Sequence, residues 1–274
     1  MTDSWVVMNL RAIKGRAYPR VIGSTREPSW VFFEVALPLL TVAAYAYIYK
    51  FMNAPAEFVG YVILGGAMTA FWLNILWAMA SQFYWEKEIG NLSLFLMAPI
   101  SRMSILAGMA VGGLLATTLR ATTTIVIGTV VFAITLNLSD PAMLVVVFFL
   151  TMVSLYGMGM MFASLYLLFG REAYHMSNLM SEPVYLVSGF YFPVKALGAF
   201  VAAGASVIPI TLGLDALRQL FYPSTSGKDG FLPVEIEALV LAGLCVFFLI
   251  LSKYCLDYME MLGKRTGRLT LRWQ

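Results

Sequence analysis

Apolar residues in this chain come in long uncharged runs, separated by short polar intervals. Six runs stand at roughly residues 30–49, 59–82, 104–136, 142–169, 175–192 and 234–255. A helix needs about 20 apolar residues to cross the hydrocarbon of a bilayer. Helices and closed barrels are the structures that satisfy every backbone polar group there. The pattern therefore predicts an all-α membrane protein with six transmembrane helices. The run 104–136 is too long for one crossing, so its first turns are expected to project beyond the bilayer. The last run keeps 15 residues, Ala238 to Ser252, between charges, which places Glu237 and Lys253 at its two interfaces.

Three stretches are not simple spans. Residues 3–21 put Trp5, Val6, Met8, Ala12, Ile13 and Ala17 on one broad apolar arc, opposite Ser4, Arg11 and Lys14, with Asn9 and Arg16 interrupting it. That is the pattern of a helix lying in the membrane interface, here within 1–28 and broken at Pro28, with a disordered basic tail as the alternative. In 83–103, Glu86, Lys87 and Glu88 are expected at a helix start, where carboxylates suit the dipole. Ile89, Leu92, Phe95 and Leu96 follow at helical spacing, and Pro99 closes the segment. A short amphipathic helix on the membrane surface is one reading, a plain connecting loop the other. Residues 187–232 are too apolar for an exposed loop, yet Gly198, Gly204, Pro209 and Gly213 break them. A re-entrant or interfacial helical pair is expected there, with 193–232 as the external segment. Residues 256–274 read as a basic tail.

Composition agrees with the bilayer as solvent. The chain is 60% hydrophobic and 12% charged, against about 25% charged in soluble domains, and its mean hydropathy is +0.80. With both termini placed inside, Arg11, Lys14, Arg16, Arg20, Arg26, Lys87, Arg102, Arg171, Lys253, Lys264, Arg265, Arg268 and Arg272 are cytoplasmic, thirteen in all. Lys50, Lys195, Arg218 and Lys228 are then external, which is four. That asymmetry orients the chain with both termini and the 83–103 loop in the cytoplasm. The start, with Asp3 and five basic residues before the first run, does not read as a cleavable signal. No basic stripe with interleaved aromatics points to nucleic acid.

Candidate chemistry is sparse. Glu34, Arg120 and Glu182 fall inside proposed spans, where ionisable groups face protein or water. Glu34 lies near its interface. Arg120 is deeper, open to a buried carboxylate pair, a pathway-lining role or an interfacial place. The threonines around it, Thr117, Thr118, Thr122, Thr123 and Thr124, are candidates for bonds between helices. Gly108 and Gly112 form a GxxxG pair, read as close packing within the chain. Tyr45, Tyr47 and Tyr49 read as an aromatic belt, with substrate stacking as the alternative. His175 is the single histidine and lacks partners at metal-ligand spacing. Cys245 and Cys255 read as packing residues. With one histidine to activate a nucleophile, a membrane enzyme is disfavoured. A channel or scaffold is the other rival.

Two segments carry a family likeness. Glu88-Ile89-Gly90-Asn91-Leu92-Ser93-Leu94-Phe95-Leu96-Met97-Ala98-Pro99-Ile100-Ser101 resembles the signature of type-2 ATP-binding-cassette (ABC) exporter permeases: an acid, a glycine, paired leucines, then Ser-Pro. Asn91, Ser93 and Ala98 stand where Thr, Glu and Ser are common. Ser188-Gly189-Phe190-Tyr191-Phe192-Pro193 resembles the family's Ser-Gly-aromatic-Pro element. Pro209-Ile210-Thr211 followed by Asp215-Ala216-Leu217-Arg218 resembles its Pro-x-Thr and acid-Ala-Leu-Arg element. The likeness covers nearly the whole chain as a single permease domain, 1–274. It implies a coupling helix at 86–99, with Glu86, Glu88, Ile89, Gly90, Asn91, Leu92, Leu96 and Pro99 docking on a separate ATPase subunit. It implies an outer gate at Ser188, Gly189, Phe190, Tyr191, Phe192 and Pro193. A second permease copy, as a homodimer, and the lipid of a bacterial inner membrane complete the expected surroundings. ATP and Mg would be bound by the partner ATPase, with no cofactor in this chain. Its one Gly-Lys pair, Gly227-Lys228, lacks the rest of a phosphate-binding loop. The expected cargo is hydrophobic or amphipathic: a drug, a lipid or a lipid-linked glycan. A polysaccharide or lipo-oligosaccharide exporter is the narrower alternative.

Overall fold

The computed structural model describes residues 4–26, 28–169, 171–223 and 230–267. All of the regular structure among them is helical. Helix α1 (Trp5–Arg26) precedes α2 (Pro28–Phe51). Helix α3 (Ala56–Leu73) runs through a π-helical stretch, Asn74–Ala80, into α4 (Gln82–Ile89), giving a rod of 34 residues. A six-residue α5 (Leu92–Met97) leads to α6 (Arg102–Phe132), α7 (Pro141–Phe169) and α8 (Arg171–Val187). After a 3₁₀ turn at Val194–Leu197 come α9 (Ala199–Ala205), α10 (Pro209–Phe221) and α11 (Val234–Thr266).

Among the described residues, five stretches are long and apolar enough to cross a membrane: Phe32–Phe51, Ala56–Ile89, Arg102–Phe132, Pro141–Leu167 and Val234–Thr266. The crossing expected over 175–192 takes another form. Its helix, α8, begins earlier and stops at Val187 after 17 residues, about 26 Å at ~1.5 Å per residue, short of a ~30 Å core. The chain then turns at Gly189, whose φ is +66°. Helices α9 and α10 meet at 114° across residues 206–208, so the apolar, glycine-broken segment does fold as a bent pair. At the chain's end, α11 continues to Thr266. The stretch from 256 is therefore helix rather than tail as far as it is described. Arg268, Arg272 and the Gly227-Lys228 pair lie outside the described residues.

Helix α3 is the centre of the bundle, buried along most of its length. It packs against α2, α6 and α10, while α7 packs along α11 and α10. Between helices in lipid, small residues and hydroxyl bonds replace hydrophobic drive. The α7–α11 seam shows both. Ser154 Oγ donates to the Leu241 carbonyl at 3.0 Å, and Cys245 Sγ to that of Leu150 at 3.2 Å.

The glycine pair on α6 is a seam within the chain. A Cβ on Gly108 would stand 2.7 Å from the Ile13 carbonyl oxygen, and one on Gly112 would stand 2.9 Å from that of Ala17. Helix α1 therefore lies directly on α6. The two residues that interrupt its apolar arc are the ones that dock it. Asn9 is buried, and its Oδ1 accepts from Ser101 N at 2.8 Å and from Ser104 Oγ at 2.9 Å, supplying the α6 N-terminus with an acceptor from another helix.

Candidate functional site

One end of the bundle holds an elbow made of α4 and α5. The expected single helix over 86–99 is broken at Gly90, whose φ of +88° ends α4 in a left-handed cap. Glu86 does not start a helix. It sits within α4, is 5% exposed, and pairs with Arg16 of α1. Gln82 Nε2 and Asn91 Nδ2 donate to the same carboxylate, at 2.7 and 3.2 Å. Arg16 also lies over the Phe95 ring at 4.9 Å. Glu86 therefore holds the elbow to α1 rather than facing outward, and Asn91, itself exposed, ties α5 to that carboxylate.

The apolar residues split the same way. Leu92 is buried in the main core, whereas Trp85, Ile89, Leu94 and Met97 are exposed. Glu88 is half-buried, and Pro99 is exposed on the loop leading to α6. The side chain of Leu96 lies outside the described residues. The expected face of Ile89, Leu92 and Leu96 is thus replaced by an outward set of Trp85, Ile89, Leu94 and Met97.

Deeper in the bundle, Arg120 of α6 forms an ion pair with Glu34 of α2. The two interior charges meet each other, so Arg120 bridges two helices in place of facing lipid. Thr118, Thr123 and Thr124 bond carbonyls of their own helix, not of another. At the same level Tyr156 Oη donates to Asn74 Oδ1 at 3.2 Å, where the rod turns π-helical.

At the other end, Ser188–Pro193 forms a tight turn. Ser188, Gly189, Phe190 and Pro193 are buried, while Tyr191 and Phe192 are half-buried. Arg218 of α10 holds this turn. Only 3% exposed, it donates through one terminal nitrogen to Gly189 O (2.7 Å) and Phe192 O (3.0 Å), and through the other to Phe190 O (2.8 Å) and Tyr61 O (3.1 Å). The cation counted as external is therefore enclosed. Nearby, Gln219 Nε2 donates to Asp215 at 3.0 Å, to Leu232 O at 2.8 Å and to Glu237 at 3.4 Å. Glu237, expected at an interface, is fully buried against α10.

Between α2, α3 and α8 a cavity of about 490 Å³ opens, lined by Pro38, Thr41, Tyr45, Thr69, Glu182, Tyr185 and Tyr191 among others. Its volume suits a small molecule. Tyr45 and Tyr191 stack with centroids 4.4 Å apart and planes 8° from parallel. Tyr49 Oη donates to the Tyr191 carbonyl at 2.9 Å. Two of the three belt tyrosines thus fasten the 188–193 turn, while Tyr47 packs edge-on against Phe132. Glu182 is exposed at this cavity and forms no ion pair with a described residue. It does not pair with Arg120.

The sequence reading missed Arg16, Asn9 and Arg218 as organising residues. A basic or amide side chain on an otherwise apolar helix face was the available signal for each. Residues 20–222 match the family described as ABC-2 type transporter. No curated protein matches the chain.

Proposed function

The chain belongs to the ABC-2 type transporter family, and from that premise we propose that it is the membrane-spanning subunit of an exporter. A separate ATPase would drive it, and two copies would form the translocation unit. The observation that carries the reading is the elbow. Its Glu86 is turned inward onto Arg16 of α1, while Trp85, Ile89, Leu94 and Met97 project outward. Exposed apolar anchors on a short helical element suit a groove in a partner protein.

ATP acts on such a chain only through a contact that differs between two arrangements. Movement of the elbow would pass to α1 through Glu86 and Arg16, and to α6 through Asn9 and Ser101. At the far end, the turn clamped by Arg218 would form the exit, beside the cavity that would hold cargo. The orientation follows the distribution of basic residues, thirteen against three once the enclosed Arg218 is set aside, with the elbow and both termini cytoplasmic in a bacterial inner membrane.

The test is permease-stimulated ATP hydrolysis and outward transport by the Ile89→Asp, Met97→Asp double variant. Both activities should be lost while the purified permease keeps its melting temperature. Wild-type activity in that variant would refute the elbow as the coupling contact.

A further inference from the structure

We infer that the cavity between α2, α3 and α8 selects lipophilic organic cations, with Glu182 as the charge that recognises them. The inference rests on the transport reading for the cavity's role, but its chemistry comes from the lining.

Glu182 lies on α8 one turn before Tyr185 and Leu186, at the cavity wall. A carboxylate at this level of an apolar bundle is costly unless something compensates it. Two other charges within the apolar runs, Arg120 and Glu34, compensate each other. Glu182 makes no ion pair with a described residue, and among the described residues no Lys, Arg or His lines the cavity. The described wall therefore carries a single formal charge, and it is negative.

The remaining lining fits the same ligand. Tyr45 and Tyr191 stack at 4.4 Å, and Tyr185 is held edge-on against Phe190 at 5.2 Å. Ring faces attract cations, most strongly where water is excluded. Aromatic walls, one carboxylate and a volume of about 490 Å³ together describe a receptor for a bulky cation with apolar substituents. A lipid carrying a pyrophosphate would meet repulsion from Glu182. The lining thus favours a cationic amphiphile over a lipid-linked glycan.

The test uses the purified permease–ATPase complex in nanodiscs without ATP, with tetraphenylphosphonium as probe and empty nanodiscs subtracted. Tetraphenylborate, of the same shape and opposite charge, is the control. Saturable phosphonium binding is expected, with affinity at least fivefold weaker in Glu182→Gln. Glu182→Lys should lose the phosphonium and gain the borate, a gain that a misfolded protein does not produce. A smaller change in Glu182→Gln, equal binding of the two ions by the wild type, or no saturable phosphonium binding would each overturn the inference. Glu182-dependent binding without ATP-dependent flux would uphold the inference and count against the export reading alone.

Discussion

Replacing Arg218 measures how firmly the 188–193 turn is built. In Arg218→Met the carbonyls of Gly189, Phe190 and Phe192 lose this donor, and the Tyr61 carbonyl, inside α3, loses one of its bonds. Each orphaned buried acceptor costs about 1–3 kcal/mol. Removing a buried cation returns part of that, so a net loss of about 3–5 kcal/mol is expected. At roughly 2–4 °C per kcal/mol for a domain of this size, the melting temperature should fall by about 6–20 °C. Arg218→Lys keeps the charge, but its ammonium donates from one point and does not reproduce the planar fork. With one or two carbonyls left over, its loss should be about 1–4 kcal/mol. The assay is thermal unfolding of the purified protein in nanodiscs, followed by tryptophan fluorescence. It is paired with maleimide labelling of Tyr191→Cys, which should quicken in the Met background. A Met variant that melts within 2 °C of wild type, with unchanged labelling, would refute the clamp.

Reversing Glu86 to Arg should cost about 3 kcal/mol, as for breaking a largely buried pair, and the added Arg16→Glu change should recover part of it in the same melt. A wild-type melting temperature in the single variant would show that the elbow does not depend on this link. Gly112→Leu should drive α1 off α6, because even a Cβ there stands 2.9 Å from the Ala17 carbonyl oxygen. Faster proteolysis within residues 5–26 would register the detachment, and an unchanged digestion pattern would contradict it. Arg265→Cys should react with a membrane-impermeant maleimide only in inverted vesicles, and labelling of intact cells would reverse the proposed orientation.

The membrane-crossing runs were legible because hydrocarbon imposes a length and an absence of charge, and both are written residue by residue. What one chain of letters hid was direction. Nothing local distinguishes Glu86 facing Arg16, 70 positions away, from Glu86 facing a partner. Leu92 and Ile89 looked equivalent until the left-handed Gly90 rotated α5 against α4. Asn9 and Arg16 looked like flaws in an amphipathic arc, because the arc was judged against lipid and the helix packs on α6. Run 175–192 overshot its helix because Phe190, Tyr191 and Phe192 are as apolar as a span, while the turn is set by Gly189 and Arg218. Glu34, Arg120 and Glu182 were legible as charges within apolar runs, but the pairing that leaves Glu182 at the cavity depends on three helices meeting.

The Arg218 clamp grips only main-chain oxygens. Every amino acid offers that oxygen, so the anchor is blind to the identity of residues 190–192. Phe192, whose ring borders the cavity, is free to be exchanged for another side chain without loosening this clamp, whereas the Tyr191 ring also stacks on Tyr45. Holding and choosing are thus assigned to different atoms of the same residues. On the proposed transport reading, substituting Phe192 would retune cargo preference at this end of the bundle while the clamp that carries it stays as it is.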